Sequence, residues 1–370
     1  MKLCVIYNRA AFYRTSIFLK LDQTYECDWH FGQADGILKS MDYSLLNGTV
    51  TECERKSLFA GWAWQKDIVR LISYKEYDTY LILGQTKDLS TWVFCILAKL
   101  FYRNKKVYFW SHGFYGKETC TERIIKKILF KMPNGGSFLY GNYARELMIK
   151  EGFDPKKLYV IHNSLDHDKQ VEIRNRLKIT TIYHDYFGNN NPNLFFVGRL
   201  TKEKKLDMIL EAMAILRDKG YEYNMTFIGA GEKSDELKET TNRLRLEQNV
   251  WFYGACYDEQ KLGEMIYNAD LCIAPGNIGL TAMHCMVFGT PALTHDDFPH
   301  QMPEFEAICE GKTGLFFKNN DINSLAERIE YWFKMKSQKR EEIREACIKE
   351  IDEKWTPEFQ IEVIKKNLTH

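Results

Sequence analysis

Two fixed cations follow a short apolar run in the second half of the chain. Arg199 and Lys204 lie in the segment GRLTKEKK, directly after the apolar residues NLFFV. The run predicts a buried strand, and the amphipathic stretch after it predicts a helix. Arginine binds phosphate through forked hydrogen bonds, and lysine binds it as a point charge. The pair therefore predicts a site for a diphosphate. The alternative is a solvated, charged helix start.

A glycine-containing loop follows another apolar run, LCIAP, and leads into a predicted helix near Leu280. Free backbone N–H groups at a helix start attract phosphate, and Gly279 lets the backbone approach a ligand closely. The amides of Gly279, Leu280 and Thr281 are therefore candidate donors to the same anion. The segment FIGAGE brings Gly229 and Gly231 to a third strand end, where an ordinary turn fits equally well.

Short apolar runs alternate with amphipathic stretches along the chain, which is typical of parallel βαβ units. The predicted strands of the first half are Lys2–Tyr7, Tyr80–Gly84, Lys106–Gly113, Ser137–Gly141 and Leu158–Ser164. Those of the second half are Asn193–Arg199, Met225–Gly231, Val250–Gly254, Leu271–Pro275, Pro291–Asp296 and Thr313–Phe317. Parallel sheets bind ligands beyond the carboxyl ends of their strands. Two such sheets facing each other would leave a cleft, a common small-molecule site.

Length and composition narrow the class of protein. The 370 residues suggest about two domains. Lys and Arg number 51 against 50 Asp and Glu, which argues against a nucleic-acid partner. Ten cysteines without a C-x-x-C pair indicate buried free thiols in a reducing compartment rather than a zinc cluster. Neither a secretion signal nor a membrane-spanning run is visible, so a cytoplasmic location is expected.

The ordered motifs of the second half resemble those of retaining GT-B glycosyltransferases of the family 4 type (glycosyl transferases group 1). The matching segments are GRLTKEK (Gly198–Lys204), GAG (Gly229–Gly231), FYG (Phe252–Gly254), GNIGLTAMHCMVFGTP (Gly276–Pro291), Glu306 for the family's P-E, and GKTGLFF (Gly311–Phe317). The resemblance implies an α/β fold of GT-B type, with two Rossmann-like domains facing across a cleft. Residues 1–165 would bind the acceptor, joined by the C-terminal helix 357–370, and residues 166–356 would bind the donor.

The resemblance also implies roles for individual residues. Arg199 and Lys204 would stabilise the leaving diphosphate. His112, in SHG after a strand of the first half, would face the donor sugar, although a lone histidine is more often structural. The donor-binding candidates are Gly198, Gly229, Gly231, Gly254, Asn277, Gly279, Leu280, Thr281, His284 and Glu306. The first loop, NRAAFYR, supplies the acceptor-binding candidates Asn8, Arg9 and Arg14.

The sequence departs from the family pattern at two positions. The family carries two glutamates eight positions apart, and here these positions hold Gly276 and His284. His284 could hydrogen-bond a ribose hydroxyl or be a satisfied core histidine. Asn277 could replace the lost sugar contact, and Glu306 the ribose carboxylate. Because the cation pair is present, activity is still expected. The alternatives are a non-catalytic nucleotide-sugar-binding protein and a nucleotide-sugar epimerase.

The reaction that the resemblance implies is transfer of a sugar, with retention, from a nucleoside diphosphate donor, favoured as UDP-linked. The acceptor would be a hydroxyl of a glycan or lipid-linked glycan in bacterial surface polysaccharide (capsule) biosynthesis. No cofactor or metal is expected. The D-x-D-like segment Asp166–Asp168 opens the polar stretch Asp166–Pro192, which is interpreted as the linker region and the entry to a second domain rather than as a donor strand. The basic amphipathic segment Glu122–Met132 predicts either a helix packed on the first sheet or a peripheral contact with anionic lipid at the inner membrane face.

Overall fold

The computed structural model describes residues 2–33, 39–336 and 339–368. The chain divides into two compact units. Unit 1 comprises Met1–Asp166 and Trp355–His370, and unit 2 comprises His167–Lys354. Each unit has its own parallel sheet and its own core, so each is described separately.

Unit 1 is built on a seven-stranded parallel sheet in the order β3-β2-β1-β6-β7-β8-β9, and β4 and β5 form a separate antiparallel pair. The strands are β1 (Lys2–Tyr7), β2 (Glu26–Gly32), β3 (Thr49–Cys53), β4 (Arg55–Ser57), β5 (Ala63–Gln65), β6 (Thr79–Leu83), β7 (Lys106–Ser111), β8 (Gly136–Leu139) and β9 (Leu158–Val160). The helices are α1 (Thr15–Thr24), α2 (Leu89–Phe101), α3 (Cys120–Phe130) and α4 (Asn142–Lys150).

The sheet of unit 1 is buried on both faces, which explains the continuous apolar run of β1. Successive strand residues point to opposite faces. Leu3, Val5 and Tyr7 therefore join the core cluster that includes residues of α1, and Cys4 and Ile6 join the cluster that includes residues of α2 and α3. Burial of both faces is the usual consequence of helical crossovers in a parallel sheet.

Unit 2 contains a six-stranded parallel sheet in the order β12-β11-β10-β13-β14-β15. The strands are β10 (Asn193–Val197), β11 (Asn224–Ile228), β12 (Val250–Gly254), β13 (Leu271–Ala274), β14 (Ala292–His295) and β15 (Gly314–Phe317). The helices are α5 (His167–Arg174), α6 (Ile182–Phe187), α7 (Asp207–Asp218), α8 (Ser234–Arg243), α9 (Glu259–Asn268), α10 (Leu280–Met286), α11 (Ile322–Lys336) and α12 (Arg340–Lys354).

The last helix, α13 (Pro357–Asn367), belongs to unit 1. The Thr356 side chain caps it by accepting a hydrogen bond from the Phe359 amide. Ile361 and Ile364 join the core cluster of unit 1. The fully buried Gln360 donates to the carbonyl oxygen of His162 at 2.8 Å. The helix therefore completes the core of unit 1.

The structure adds four strands that the sequence did not predict: β2 and β3 in the sheet of unit 1, and the antiparallel pair β4 and β5. In β2, Cys27, Trp29 and Phe31 face one side, but Asp28 and His30 on the other side are polar and still buried. Asp28 is paired with Lys2 at 2.8 Å. Strands of a parallel sheet are usually recognised by a continuous apolar run, and the polar residues Asp28 and His30 interrupt that run in β2.

The stretch interpreted as the linker region and the entry to a second domain, Asp166–Pro192, contains α5 and α6 at the start of unit 2. Arg174 holds α5 through a two-point contact with Asp352 at 2.8 and 3.0 Å. The Tyr183 hydroxyl anchors α6 by donating to the carbonyl oxygen of Met265 at 2.7 Å. Contacts between residues so far apart in sequence leave no local periodicity to detect.

Candidate functional site

The second sheet changes direction between its neighbouring strands β10 and β13. The chain proceeds outward from β10 to β11 and β12, then returns to place β13 on the other side of β10. The loops that follow β10 and β13 therefore diverge, and ligands of open α/β sheets bind in the crevice that such a switch point creates. The predicted cations and the predicted glycine loop follow these two strands.

Lys204 joins the two loops. Its Nζ donates to the carbonyl oxygen of Asn277 at 2.6 Å and to the Oδ1 of Asn277 at 2.9 Å. Burial and, next, the neighbouring charge of Arg199 lower the pKa of Lys204 to about 8, against an opposing effect of Glu304. The ammonium form therefore still predominates at physiological pH, but it is lost as the pH rises through 8. An anion bound beside it would favour the charged form.

Arg199 is exposed, in contrast to Lys204, and its charge acts on Lys204. Two like charges placed together in a partly buried loop favour the binding of an anion between or beside them. The structure therefore brings the two predicted cations into electrostatic contact next to the predicted glycine loop.

The position of the family's first glutamate has no room for a side chain. A Cβ atom on Gly276 would lie 1.9 Å from the carbonyl oxygen of Glu203 and 2.8 Å from the Cα of Lys204. The Gly276 amide donates to the carbonyl oxygen of Lys204 at 3.0 Å. The lysine loop thus occupies the space that a glutamate would need. The side chain of the next residue, Asn277, accepts a hydrogen bond from Lys204 of this loop.

Gly229 and Gly231 allow the loop after β11 to lie against the loop after β10. A Cβ on Gly229 would lie 1.8 Å from the carbonyl oxygen of Gly198, and one on Gly231 would lie 2.3 Å from that of Leu200. The two loops are also joined by a hydrogen bond from the Leu200 amide to the carbonyl oxygen of Ala230 at 3.0 Å. These glycines therefore position the cation-bearing loop through backbone contact.

The glycine loop itself is braced by Gln301, a buried residue that the sequence analysis did not identify. Its Oε1 accepts from the Ile278 amide at 3.0 Å, and its Nε2 donates to Thr294 Oγ1 at 2.8 Å. Thr281 Oγ1 donates to the carbonyl oxygen of Val197 at 2.9 Å, which ties α10 to the end of β10. The first-turn amides of Leu280 and Thr281 have no acceptor within their own helix.

The predicted Glu306 shares a short helical turn with a second carboxylate, Glu304. Glu304 is 2% exposed, and its charge raises the pKa of Lys204. Glu306, on the same short helical turn, is only partly buried. The P-E dipeptide of the family pattern corresponds to Pro303–Glu304, and this signal could have identified Glu304.

His284 lies beside a second carboxylate. Its Nε2 is 3.4 Å from Oε2 of Glu259, at the start of α9, and the contact holds the pKa of Glu259 below its usual value. Gly254, the last residue of β12, accepts from the Gly229 amide at 2.8 Å. A carboxylate is therefore present next to the position where the family has its second glutamate.

Unit 1 contains a cavity of about 400 Å³ at the carboxyl ends of β1, β6 and β7. Its sheet also switches direction between β1 and β6, so the cavity occupies the equivalent position in unit 1. The predicted residues Asn8, Arg9 and His112 all line it. Sequence reasoning missed three other cations of the lining: Arg55, Lys87 and Lys126.

His112 is a neutral group in this cavity. Burial lowers its pKa to about 3, and the charges of Arg14 and Lys126 contribute to the shift. Its ring lies against Tyr140, with centroids 4.6 Å apart, and its buried Nδ1 has no hydrogen-bond partner among the described residues. The imidazole can therefore donate or accept one hydrogen bond without carrying charge.

Arg14 does not line the cavity, contrary to its predicted place in the first loop. It is 7% exposed, and its guanidinium lies over the rings of Tyr7 and Tyr140 at 5.4 and 5.2 Å. Arg14 is the last residue of the short helical turn Phe12–Arg14 after β1, and it is the buried residue of that turn. Its charge reaches the cavity indirectly, by lowering the pKa of His112.

The D-x-D-like segment participates in the helix contact described above. His167 Nε2 lies 2.8 Å from Oδ1 of Asp352, the carboxylate that also binds Arg174.

All ten cysteines are free thiols, and seven of them are buried. Among the described residues, no helix combines the length and the apolar character that crossing a membrane requires.

Comparison with known proteins gives the following relationships. Residues 186–350 match the family described as Glycosyl transferases group 1. A relative described as an uncharacterized 41.2 kDa protein in the cps region of Klebsiella pneumoniae is 24% identical over 211 residues, 55% of this chain and 53% of that protein. The matches to this and the next two curated relatives span 35–53% of those proteins' own lengths.

Solved structures resemble the chain over nearly its whole length. HepE of Anabaena, crystallised in complex with UDP, has a TM-score of 0.74 at 16% identity and covers 99% of both chains. The lipopolysaccharide outer core galactosyltransferase WaaB has a TM-score of 0.72 at 14% identity and covers 100% of both. The predicted α/β fold class is therefore confirmed: the chain has the fold of GT-B glycosyltransferases, and its residues 186–350 match the Glycosyl transferases group 1 model.

Proposed function

We propose that this chain transfers a sugar, with retention of configuration, from a nucleoside diphosphate sugar to a hydroxyl group of an acceptor glycan. The single observation that carries the proposal is the junction of Lys204, Arg199 and the Gly276–Thr281 loop at the switch point of the second sheet. We assign donor binding to unit 2 and acceptor binding to unit 1.

The proposed chemistry is stabilisation of the leaving group. As the glycosidic bond to the diphosphate breaks, negative charge builds on the diphosphate and positive charge on the sugar ring. Fixed cations and amides aimed at the developing charge lower the barrier. A phosphate oxygen of the leaving group would take the proton of the acceptor hydroxyl, so no strongly basic side chain is needed. In this proposal neither a metal nor a cofactor takes part.

Glu259 and His284 are proposed to bind the donor ribose. The carboxylate of Glu259 lies within 3.4 Å of His284 Nε2, so the pair presents an acceptor and a ring nitrogen at the place of the family's second glutamate. This assignment makes Glu259 a substitute for the missing carboxylate, in addition to the candidates Asn277 and Glu306.

UDP is the favoured nucleotide, because the related HepE was crystallised with UDP and with UDP-glucose. The relative in a cps region and another described as protein CapJ of Staphylococcus aureus support a place in capsule or other surface polysaccharide biosynthesis.

The test is a screen of UDP-, GDP- and ADP-sugars by thermal denaturation, followed by product analysis. We expect a UDP-sugar to stabilise the protein. A ligand at 100 times its Kd adds about 2.7 kcal/mol to the free energy of unfolding. We also expect transfer to an added acceptor to persist in EDTA.

Each other outcome of this screen contradicts part of the proposal. Donor binding without transfer to any acceptor would indicate a nucleotide-sugar-binding protein. Release of an isomerised donor would indicate an epimerase. Loss of transfer in EDTA, with rescue by Mn²⁺, would overturn the metal-free reaction.

We further propose a peripheral membrane contact through α2 and α3. Large apolar side chains are exposed on both helices, among them Leu100 and Phe101 on α2 and Ile124 and Ile128 on α3. The exposed cation Arg123 and the partly buried Lys127 belong to the same region of α3. Apolar side chains beside basic ones fit the boundary of an anionic lipid surface.

Vesicle sedimentation tests this contact. We expect the protein to bind phosphatidylglycerol vesicles, and the double variant Phe101→Ser, Ile124→Ser to bind at least about tenfold more weakly, because each such side chain contributes about 1.5–3 kcal/mol when buried. Leu45→Ser, at another exposed apolar residue of unit 1, is the control. Equal binding of the double variant and the wild-type protein would contradict the proposal.

A further inference from the structure

The cavity of unit 1 is lined by cations without a matching set of carboxylates. Arg9, Arg55, Lys87 and Lys126 line it, and the described lining contains no aspartate or glutamate. Like charges gathered around one partly enclosed space repel each other, and the repulsion is relieved when an anion enters. The composition of this wall therefore indicates a negatively charged ligand.

Lys126 and Arg55 differ in how their charges are paired. Lys126 Nζ contacts Oε1 of Glu118 at 2.6 Å, so this lysine is already neutralised. Arg55 is different. Its Nε is 3.9 Å from Oδ2 of Asp88, beyond hydrogen-bond distance, and this buried nitrogen has no hydrogen-bond partner among the described residues. Buried polar groups are nearly always hydrogen-bonded, so the nitrogen of Arg55 is a candidate donor to a ligand.

The neutral His112 gives the cavity a hydrogen-bonding group that can orient a ligand. Its orphaned Nδ1 can form one hydrogen bond, and the ring does not titrate near neutral pH. Asn8, whose amide nitrogen donates to Gln85 Oε1 at 3.3 Å, provides a further polar group of the lining. A ligand with an anionic group and several hydroxyls, such as a charged sugar, matches this mixture of cations and neutral hydrogen-bonding groups.

A second cavity, of about 190 Å³, continues from the first. The two share Thr86, Lys87, Tyr115 and Lys126 in their linings. The second adds Trp62, Lys117, Ile125 and two carboxylates, Glu118 and Glu122, which accept hydrogen bonds from Lys126 and from the Thr119 amide, respectively. Aromatic rings offer flat apolar faces on which the C–H face of a pyranose ring can lie. The cations and the aromatic side chains are therefore placed along one continuous surface.

We propose that the acceptor of this chain is an anionic saccharide, whose phosphate or carboxylate is held by Arg9, Arg55 and Lys87 and whose ring packs against Trp62 and Tyr115. The inference rests on the proposed function, since it names the class of acceptor for the same reaction. It adds that a neutral sugar of the same size is a poor acceptor.

Binding to the full chain tests the proposal. The probes are glucose 1-phosphate, glucuronate and glucose, measured by calorimetry in the presence of UDP. We expect at least one anionic probe to bind about tenfold or more tightly than glucose, with an affinity that falls as salt is added. Preference for glucose 1-phosphate identifies a phosphate as the recognised group, and preference for glucuronate identifies a carboxylate.

The variants Arg55→Met and Lys87→Met should each bind the anionic probe about tenfold or more weakly than the wild-type protein, because a charge-assisted hydrogen bond is stronger than one between neutral groups. Lys87 is exposed, so its replacement tests the proposal even if Arg55→Met fails to fold. Lys150→Met, an exposed lysine at the end of α4, is the matched control.

The outcomes separate this inference from the function on which it rests. If the protein binds UDP but binds all three probes with equal affinity, the anionic acceptor alone is overturned. The same holds if the protein binds UDP and both variants bind the anionic probe as tightly as the wild-type protein does. Failure of UDP and every other nucleotide to bind overturns the proposed function and the acceptor assignment with it.

Discussion

Replacement of Lys204 with methionine is expected to lower the rate of sugar transfer by about 10²–10³-fold, the usual effect of removing one fixed group that stabilises developing negative charge. Methionine keeps most of the length of the side chain and removes its charge. The contact to Asn277 that joins the two loops is lost as well. Steady-state transfer rates and UDP affinity are the measurements. Arg199→Met should also lower the transfer rate, since the charge of Arg199 acts on Lys204.

The matched control for this prediction is Lys202→Met, two positions earlier in the same loop and exposed. It should leave transfer within a few-fold of the wild-type rate. Near-normal rates in both Lys204→Met and Arg199→Met, with UDP affinity unchanged, would remove the basis of the proposed leaving-group stabilisation.

The pH dependence of donor binding distinguishes the charge of Lys204 from a merely structural role. Its pKa in the ligand-free protein is lowered to about 8, so the ammonium form predominates below pH 8 and is lost above it. A diphosphate prefers the ammonium form and raises this pKa when it binds. Affinity for UDP should therefore be highest below pH 8 and decrease as the pH rises through 8, and binding near pH 8 should take up protons. Lys204→Met should lack this decrease.

Restoring the family's glutamate at Gly276 is expected to destroy donor binding rather than improve it. Even the Cβ atom of Gly276→Ala would lie 1.9 Å from the carbonyl oxygen of Glu203, so the lysine loop must move. Overpacking alone typically costs about 1–3 kcal/mol of stability, and here the clash involves backbone. We expect Gly276→Ala and Gly276→Glu to lose most of their UDP affinity, measured by calorimetry on folded protein.

Gly311→Ala is the control for this prediction. Gly311 also lies in unit 2, but open space surrounds its Cβ position, and its φ of +74° makes alanine strained without a clash. It should lose some thermal stability and keep UDP binding. A Gly276→Glu variant that binds UDP more tightly than the wild type would show that the loop can rearrange, and would contradict the assigned role of Gly276.

The parts of the site that could be predicted from sequence are those that follow strands directly. Arg199, Lys204 and Gly279 stand in loops that begin where an apolar run ends, so local pattern was sufficient to bring them together. His112 and Arg9 were likewise identified by their positions after β7 and β1, and both line the cavity of unit 1.

The parts that could not be predicted depend on contacts distant in sequence. Arg55 and Lys87 reach the cavity from the β4 hairpin and from the loop after β6, where no local pattern singles them out. Gln301 braces a loop 23 residues away. Arg14 was expected in the first loop at the ligand but is buried among aromatic rings, because a planar guanidinium can stack on them. Hydrophobic periodicity contains no information about such partners.

The discontinuity of unit 1 has a consequence for biosynthesis. Its core is completed by α13, with Ile361 and Ile364 buried among residues of α1 and the central strands. On the ribosome, residues 1–166 emerge long before this helix exists, and the nascent segment must wait for all of unit 2 to be translated. During that interval the hydrophobic surface beside α1 that this helix covers in the folded protein stays uncovered. Unit 2, by contrast, is contiguous and can fold as soon as it leaves the exit tunnel.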